Sequence, residues 1–109
     1  VAYSTTISDE RLKDNVQPIT DALDKVKALR GVTYTWNSGS RKGLSDYGVI
    51  AQEVEKVLPE IVHEKSMPLL GDEDAAYKTV DYEKLCAVLI SAVTELQEKV
   101  EALENGASE

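Results

Sequence analysis

The sequence predicts an α+β protein: a small globular head of short strands and helices carrying a long C-terminal coiled-coil helix. Two observations carry that prediction. Between residues 8 and 81, segments of helical period are interleaved with short β-branched segments that alternate apolar and polar residues. From Tyr82 onward the apolar period tightens to an unbroken heptad. The chain therefore divides into an arm over residues 1–7, a head over residues 8–81 and a stalk over residues 82–109. Val1 stands where an initiator methionine would, which suggests a segment of a longer polypeptide.

"VAYSTTI" (residues 1–7) is short, polar-alternating and β-leaning, an extended arm or the tail of a preceding domain. "ISDERLKDNV" (residues 7–16) is a polar lead-in that ends before Pro18. "ITDALDKVKALRG" (residues 19–31) sets Ala22, Leu23, Val26 and Leu29 at helical spacing. Thr20 is placed to cap its start, Lys25, Lys27 and Arg30 suit its end, and Gly31 suits a left-handed stop. "VTYTWN" (residues 32–37) alternates Val32, Tyr34 and Trp36 with polar residues, the pattern of a half-buried strand. A turn-rich loop, "SGSRKGLSD", leads to a second strand in "YGVIA" (residues 47–51), which makes a hairpin with a long connection. "QEVEKVLPE" (residues 52–60) puts Val54, Val57 and Leu58 on one face of a short helix that Pro59 stops. "IVHE" and "YKTV" are brief strands, separated by the loop "KSMPLLGDEDAA".

The stalk is the most regular part. Tyr82, Cys86, Leu89, Val93, Leu96, Val100 and Leu103 recur at alternating steps of four and three, with Cys86, Val93 and Val100 at a and Leu89, Leu96 and Leu103 at d. Asp81 is its N-cap. Lys99 at g and Glu104 at the next e have the spacing of an interchain ion pair, worth roughly 0–1 kcal/mol but favouring parallel register. Leu85, Val88 and Ile90 broaden the apolar surface of the first half, which is expected to pack on the head. Beyond Leu96 a lone chain has nothing to cover the seam, so the stalk predicts oligomerisation. Without arm and stalk 74 residues remain, not far above the size that buries only about 60% of its unfolded surface, so the head gains from a shared core.

Composition narrows the function. Twenty acidic against twelve basic residues give a net charge of −8, the wrong field for a nucleic-acid partner. "SRKG" (residues 40–43) reads as a solvated turn. No apolar run approaches a membrane span and no signal peptide is visible, so no membrane partner is expected. Cys86 is the single cysteine and His63 the single histidine, so neither a disulfide framework nor a zinc site is expected, and no metal or cofactor.

A nucleophile is a separate matter. Ser8 needs a base, and Lys13, five positions on, is a candidate if shielded from water. In a regular α-helix the two side chains would point about 140° apart, so a dyad requires a non-helical path between them or a neighbouring subunit. The plain alternative is that Ser8 caps a helical turn, with Asp9 and Glu10 at its positive end and Leu12 and Val16 packing inward. His63 has no acidic partner fixed by spacing.

Four blocks in order, "SDERLKDNV", "ALDKVKALRGVTYTWN", "YGVIAQEVEKVLPEIV" and "VDYEKLCAVLISAVTELQEKVEALE", resemble the self-cleaving intramolecular chaperone domain of bacteriophage endosialidase-type tailspikes and tail fibres. The resemblance runs from about Ser8 to Glu104. It implies a homotrimer that helps the preceding fibre of the same polypeptide to fold and assemble, in the host bacterial cytoplasm, and then releases itself by a single cut. On that basis Ile7–Ser8 is the scissile bond, Ser8 the nucleophile, Lys13 its base, and Cys86, Leu89, Val93, Leu96, Val100 and Leu103 the trimer interface. Val at a with Leu at d by itself favours two strands, so the trimer rests on the resemblance. The rival expectations are a non-cleaving trimerisation module in which Ser8 is only a cap, and a binding module using the acidic residues Asp72 to Asp74.

Overall fold

The computed structural model describes residues 5–66 and 76–107, with the side chain of Ala107 left aside. The expected loop over residues 65–76 and its acidic residues Asp72 to Asp74 lie largely outside the described residues.

The architecture is α+β, as the periodicities predict, in the order α1 (Ala22–Lys27), β1 (Val32–Thr35), β2 (Ser45–Gly48), α2 (Ala51–Val57), β3 (Val62–Ser66), β4 (Ala76–Val80) and α3 (Tyr82–Ala107). The strands form two separate antiparallel pairs, β1 with β2 and β3 with β4. The first pairs Val32 with Gly48 and Thr35 with Ser45. Trp36 extends it, its N–H donating to Leu44 O at 2.9 Å and its carbonyl accepting from Gly43 N at 2.8 Å. Gly43, at φ 90°, supplies the left-handed backbone that turns the chain there. The second strand thus lies earlier than its expected span. Val49 and Ile50 leave the ladder, and Ala51 already begins α2.

Val32, Tyr34 and Trp36 share the half-buried face of β1, as their alternation predicts. The Trp36 ring meets Tyr34 edge-on at 5.2 Å and donates Nε1–H to Asp46 at 3.3 Å, while Arg41 lies 5.6 Å over it. The expected solvated turn "SRKG" therefore includes one guanidinium held over an aromatic face. Tyr47 N–H and Trp36 together hold the Asp46 carboxyl below its ordinary 3.8.

The core gathers Ala22 from α1, Val54 and Leu58 from α2 and its end, Ile61 and Val62, and Leu85, Val88 and Ala92 from α3. Leu23, Val26 and Leu29 pack against it, so α1 turns its predicted apolar face inward. Full burial of residues such as Leu85 and Val88 stabilises by about 1.5–3 kcal/mol each. Ile90 departs from expectation. It points away from the head and is 69% exposed.

Two helix ends also differ from expectation. Thr20 does not cap α1; Asp21, at φ 57°, precedes it without a capping side chain. The cap comes from α3, where the Glu95 carboxylate accepts from Ala22 N at 2.9 Å and Leu23 N at 3.2 Å. At the other end α1 stops at Lys27, and Gly31 is not left-handed. Arg30 instead ties the end of this segment to α2 through three hydrogen bonds to Glu53, at 2.9–3.1 Å. Lys78 of β4 sits between Glu64 at 2.9 Å and Glu55 at 3.0 Å, which together keep its ammonium favoured above its ordinary 10.5. Among the described residues, no helix is long and apolar enough to cross a membrane.

Glu95 makes a clear test. Replacing it with Ala orphans two N–H groups at the start of α1, and Glu95→Ala is expected to lose about 1–2 kcal/mol in urea unfolding. Thr20→Ala should leave the midpoint unchanged.

Candidate active site

Ser8 precedes a single 3₁₀ turn, Glu10–Leu12. Asp9 before the turn and Lys13 after it both have extended backbone. The chain between Ser8 and Lys13 is thus not an α-helix, and the angular separation that a helix would impose does not apply. The structure brings the two together within one chain. Lys13 Nζ donates to Ser8 Oγ at 2.6 Å.

The capping role belongs to Asp9. Its carboxylate accepts from Arg11 N at 2.8 Å, and its two oxygens take Nε and Nη2 of the Arg11 guanidinium at 3.1 and 2.9 Å. The guanidinium and then the backbone N–H hold the Asp9 carboxyl below its ordinary 3.8. Ser8 is therefore not the cap that the plain sequence reading expects. Leu12 and Val16 do not pack inward either, being 74% and 71% exposed. Residues 5–21 are exposed throughout in the single chain, Ser8 and Lys13 included.

Just upstream, the Thr6 hydroxyl donates to the Glu83 carboxylate, 3.2 Å from each oxygen. This lays the arm beside the first turn of α3. Sequence inspection gives no sign of the pair, since the residues stand 77 positions apart and no spacing links them. His63, which the sequence leaves without an acidic partner fixed by spacing, is exposed on β3, its carbonyl accepting from the Thr79 hydroxyl at 3.4 Å.

The start of α3 is fixed on three sides. Asp81 N–H donates to Ile61 O at 2.8 Å, and its carboxylate accepts from Lys84 N at 3.3 Å, the predicted N-cap. Tyr82 Oη accepts from Val49 N at 3.3 Å. A Cβ on Gly48 would stand 2.7 Å from that phenol oxygen, so a residue with a side chain there would displace Tyr82. Further along, Leu89, Val93, Leu96, Val100 and Leu103 are 41–73% exposed in the single chain, and Cys86 is a free, exposed thiol. All six seam residues lie on surface that the head leaves uncovered.

An open groove of about 580 Å³ lies elsewhere, lined by residues that include Tyr34, Trp36, Asp46, Tyr77 and Tyr82. Neither Ser8 nor Lys13 lines it.

A model of a peptidase family described as the chaperone of endosialidase matches residues 8–63. The chain belongs to that family. Among curated relatives, the long tail fiber protein Gp37 of Enterobacteria phage K3 is 37% identical over 100 residues, 90% of this chain and 8% of that protein. Its counterpart in Enterobacteria phage T2 is also 37% identical over 100 residues, 90% of this chain and 7% of that protein. The chaperone-of-endosialidase domain thus spans less than a tenth of the length of the fibre proteins it matches.

The division of labour between neighbours is testable. Asp9→Ala should speed hydrogen exchange at the Arg11 amide, whereas Ser8→Ala should leave that amide and the urea midpoint unchanged.

Proposed function

We propose that this chain is an intramolecular chaperone that trimerises, assists folding of a preceding phage fibre segment and then cuts itself free at Ile7–Ser8. The observation that carries the cleavage is the 2.6 Å contact between Lys13 Nζ and Ser8 Oγ. Membership of a peptidase family whose match opens at Ser8 supports it. On this reading residues 1–7 end the fibre, residues 8–81 are the head, and residues 82–109 are the stalk.

The chemistry needs only this chain and one water. Neutral Lys13 takes the Ser8 hydroxyl proton as Oγ attacks the Ile7 carbonyl carbon. The new C–O bond forms, the C–N bond to Ser8 breaks, and Lys13 returns the proton to the departing nitrogen. Water then hydrolyses the ester, leaving an Ile7 carboxylate and restoring the Ser8 hydroxyl. A lysine is a base only when uncharged, and burial favours that form. Both groups are exposed in the single chain. Assembly is the step assigned to shielding them, so that cleavage follows correct trimerisation.

The exposed seam of Cys86, Leu89, Val93, Leu96, Val100 and Leu103 supports self-association. Ile90, exposed on its flank, widens it beyond a strict two-helix seam. Holding three chain ends together raises the local concentration of fibre strands whose own pairing is non-local and slow. Removing the chaperone afterwards closes the route back and leaves the fibre kinetically trapped. The setting is the bacterial cytoplasm during phage assembly.

Two experiments test this. With the chain joined to its upstream fibre, Ser8→Ala should abolish the size shift on a denaturing gel, and Lys13→Ala should slow it by about 10²–10⁴-fold. The wild-type product should have the mass of a chain beginning at Ser8. Unimpaired cleavage in Ser8→Ala refutes the nucleophile. Separately, the sedimentation mass should equal three subunits and fall to one in Leu96→Asp; a wild-type mass of one or two refutes the trimer.

A further inference from the structure

We infer that Glu83 is a positioning residue for the scissile bond, and that it acts through the hydroxyl of Thr6. The inference rests on the self-cleavage reading above and adds to it a link between the cut and the stalk helix.

The geometry is specific. Thr6 is two residues before Ser8, and its Oγ1 lies 3.2 Å from both Glu83 oxygens, a hydrogen bond that ties the arm to the stalk helix. An exposed, extended arm samples many orientations of the Ile7 carbonyl relative to Ser8 Oγ, and few of them allow attack. Anchoring Thr6 narrows them. The anchor itself stands in the first turn of α3, directly after Asp81 and Tyr82, which bind Ile61 and Val49 of the head. Glu83 also falls at an e position of the heptad, beside the seam. The arm is therefore held in place only when the first turn of the stalk has formed and docked. Folding of the stalk becomes a condition for cleavage, and not merely for association.

A purely structural role for Glu83 is the competing account, since a carboxylate in a first helical turn also favours the helix through its dipole. The two accounts separate on conservative variants. Glu83→Gln removes the charge but keeps an acceptor for Thr6; Thr6→Ser keeps the hydroxyl, and Thr6→Val removes it while retaining shape.

The test is the rate of cleavage of the full fibre polypeptide on denaturing gels. Glu83→Ala and Thr6→Val should each slow cleavage by about tenfold, and the double variant should be no slower than either, as expected of two ends of one interaction. Glu83→Gln and Thr6→Ser should cleave within about twofold of wild type. Trimer mass and helix content should be unchanged in all five variants. If Glu83→Ala and Thr6→Val cleave at the wild-type rate, or if Glu83→Gln is as slow as Glu83→Ala, the inference is overturned. Ser8→Ala, run alongside, keeps the two readings apart: if it still cleaves, the dyad fails, whereas blocked cleavage in Ser8→Ala with normal cleavage in Glu83→Ala defeats the anchor alone.

Discussion

Leu85, Val88 and Ala92 form the face by which α3 packs into the head, and they are 3–5% exposed. The apolar seam of the same helix, from Cys86 through Val93, is turned about 100° away around the helix axis. One helix thus carries two apolar faces, one packed on the head and one exposed in the single chain. The head cannot complete its core without the first, because the remaining core residues come from short elements of six, seven or fewer residues. The second is left exposed by the head, with Val93 at 63% and Leu103 at 73%. In the proposed trimer this contiguous apolar surface is the interface. Folding of the head and presentation of the seam are therefore one event.

That coupling is concentrated at the head of α3. Asp81, Tyr82 and Glu83 are consecutive, yet they bind Ile61 just before β3, Val49 just after β2, and the arm. Gly48 leaves room for the phenol of Tyr82. Glu95, more than three turns later, caps α1 and fixes the other end of the docked face. The helix is thereby clamped at two levels, and its register against the head has little freedom. The Arg30–Glu53 pair adds a surface tie between α1 and α2, but its guanidinium is 69% exposed, so it orients more than it stabilises.

The elements were legible in sequence because each carried its own period. The alternation of Val32, Tyr34 and Trp36, the helical spacing of Ala22, Leu23, Val26 and Leu29, and the heptad from Tyr82 all depend on neighbours a few positions away. The misses depend on distant ones. Thr20 looks like a cap because it is the right residue type in the right place, but the carboxylate of Glu95, 73 positions beyond Ala22, takes the role. Ile90 looked like core because it is apolar beside Val88, yet it lies on the far side of the seam from the docked face. The second strand slipped because "YGVIA" reads as β-branched, whereas the pairing of Tyr34 with Asp46 sets the ladder earlier. Ser8 and Lys13 were visible as residue types, but the local path between them was not. One 3₁₀ turn, capped by Asp9, decides it.

In the proposed reaction this turn stands in for a substrate-binding cleft. An enzyme that acts on separate substrates needs a pocket to recover the entropy of bringing reactants together. Here the scissile carbonyl is bonded to the residue that attacks it, so proximity is covalent and only orientation remains to be set. That explains why the dyad can sit on an exposed segment, apart from the aromatic groove, which neither residue lines. What the site lacks in the single chain is shelter for a neutral lysine. On that proposal, the tie between Thr6 and Glu83 joins the segment around the cut to the helix that carries the exposed seam.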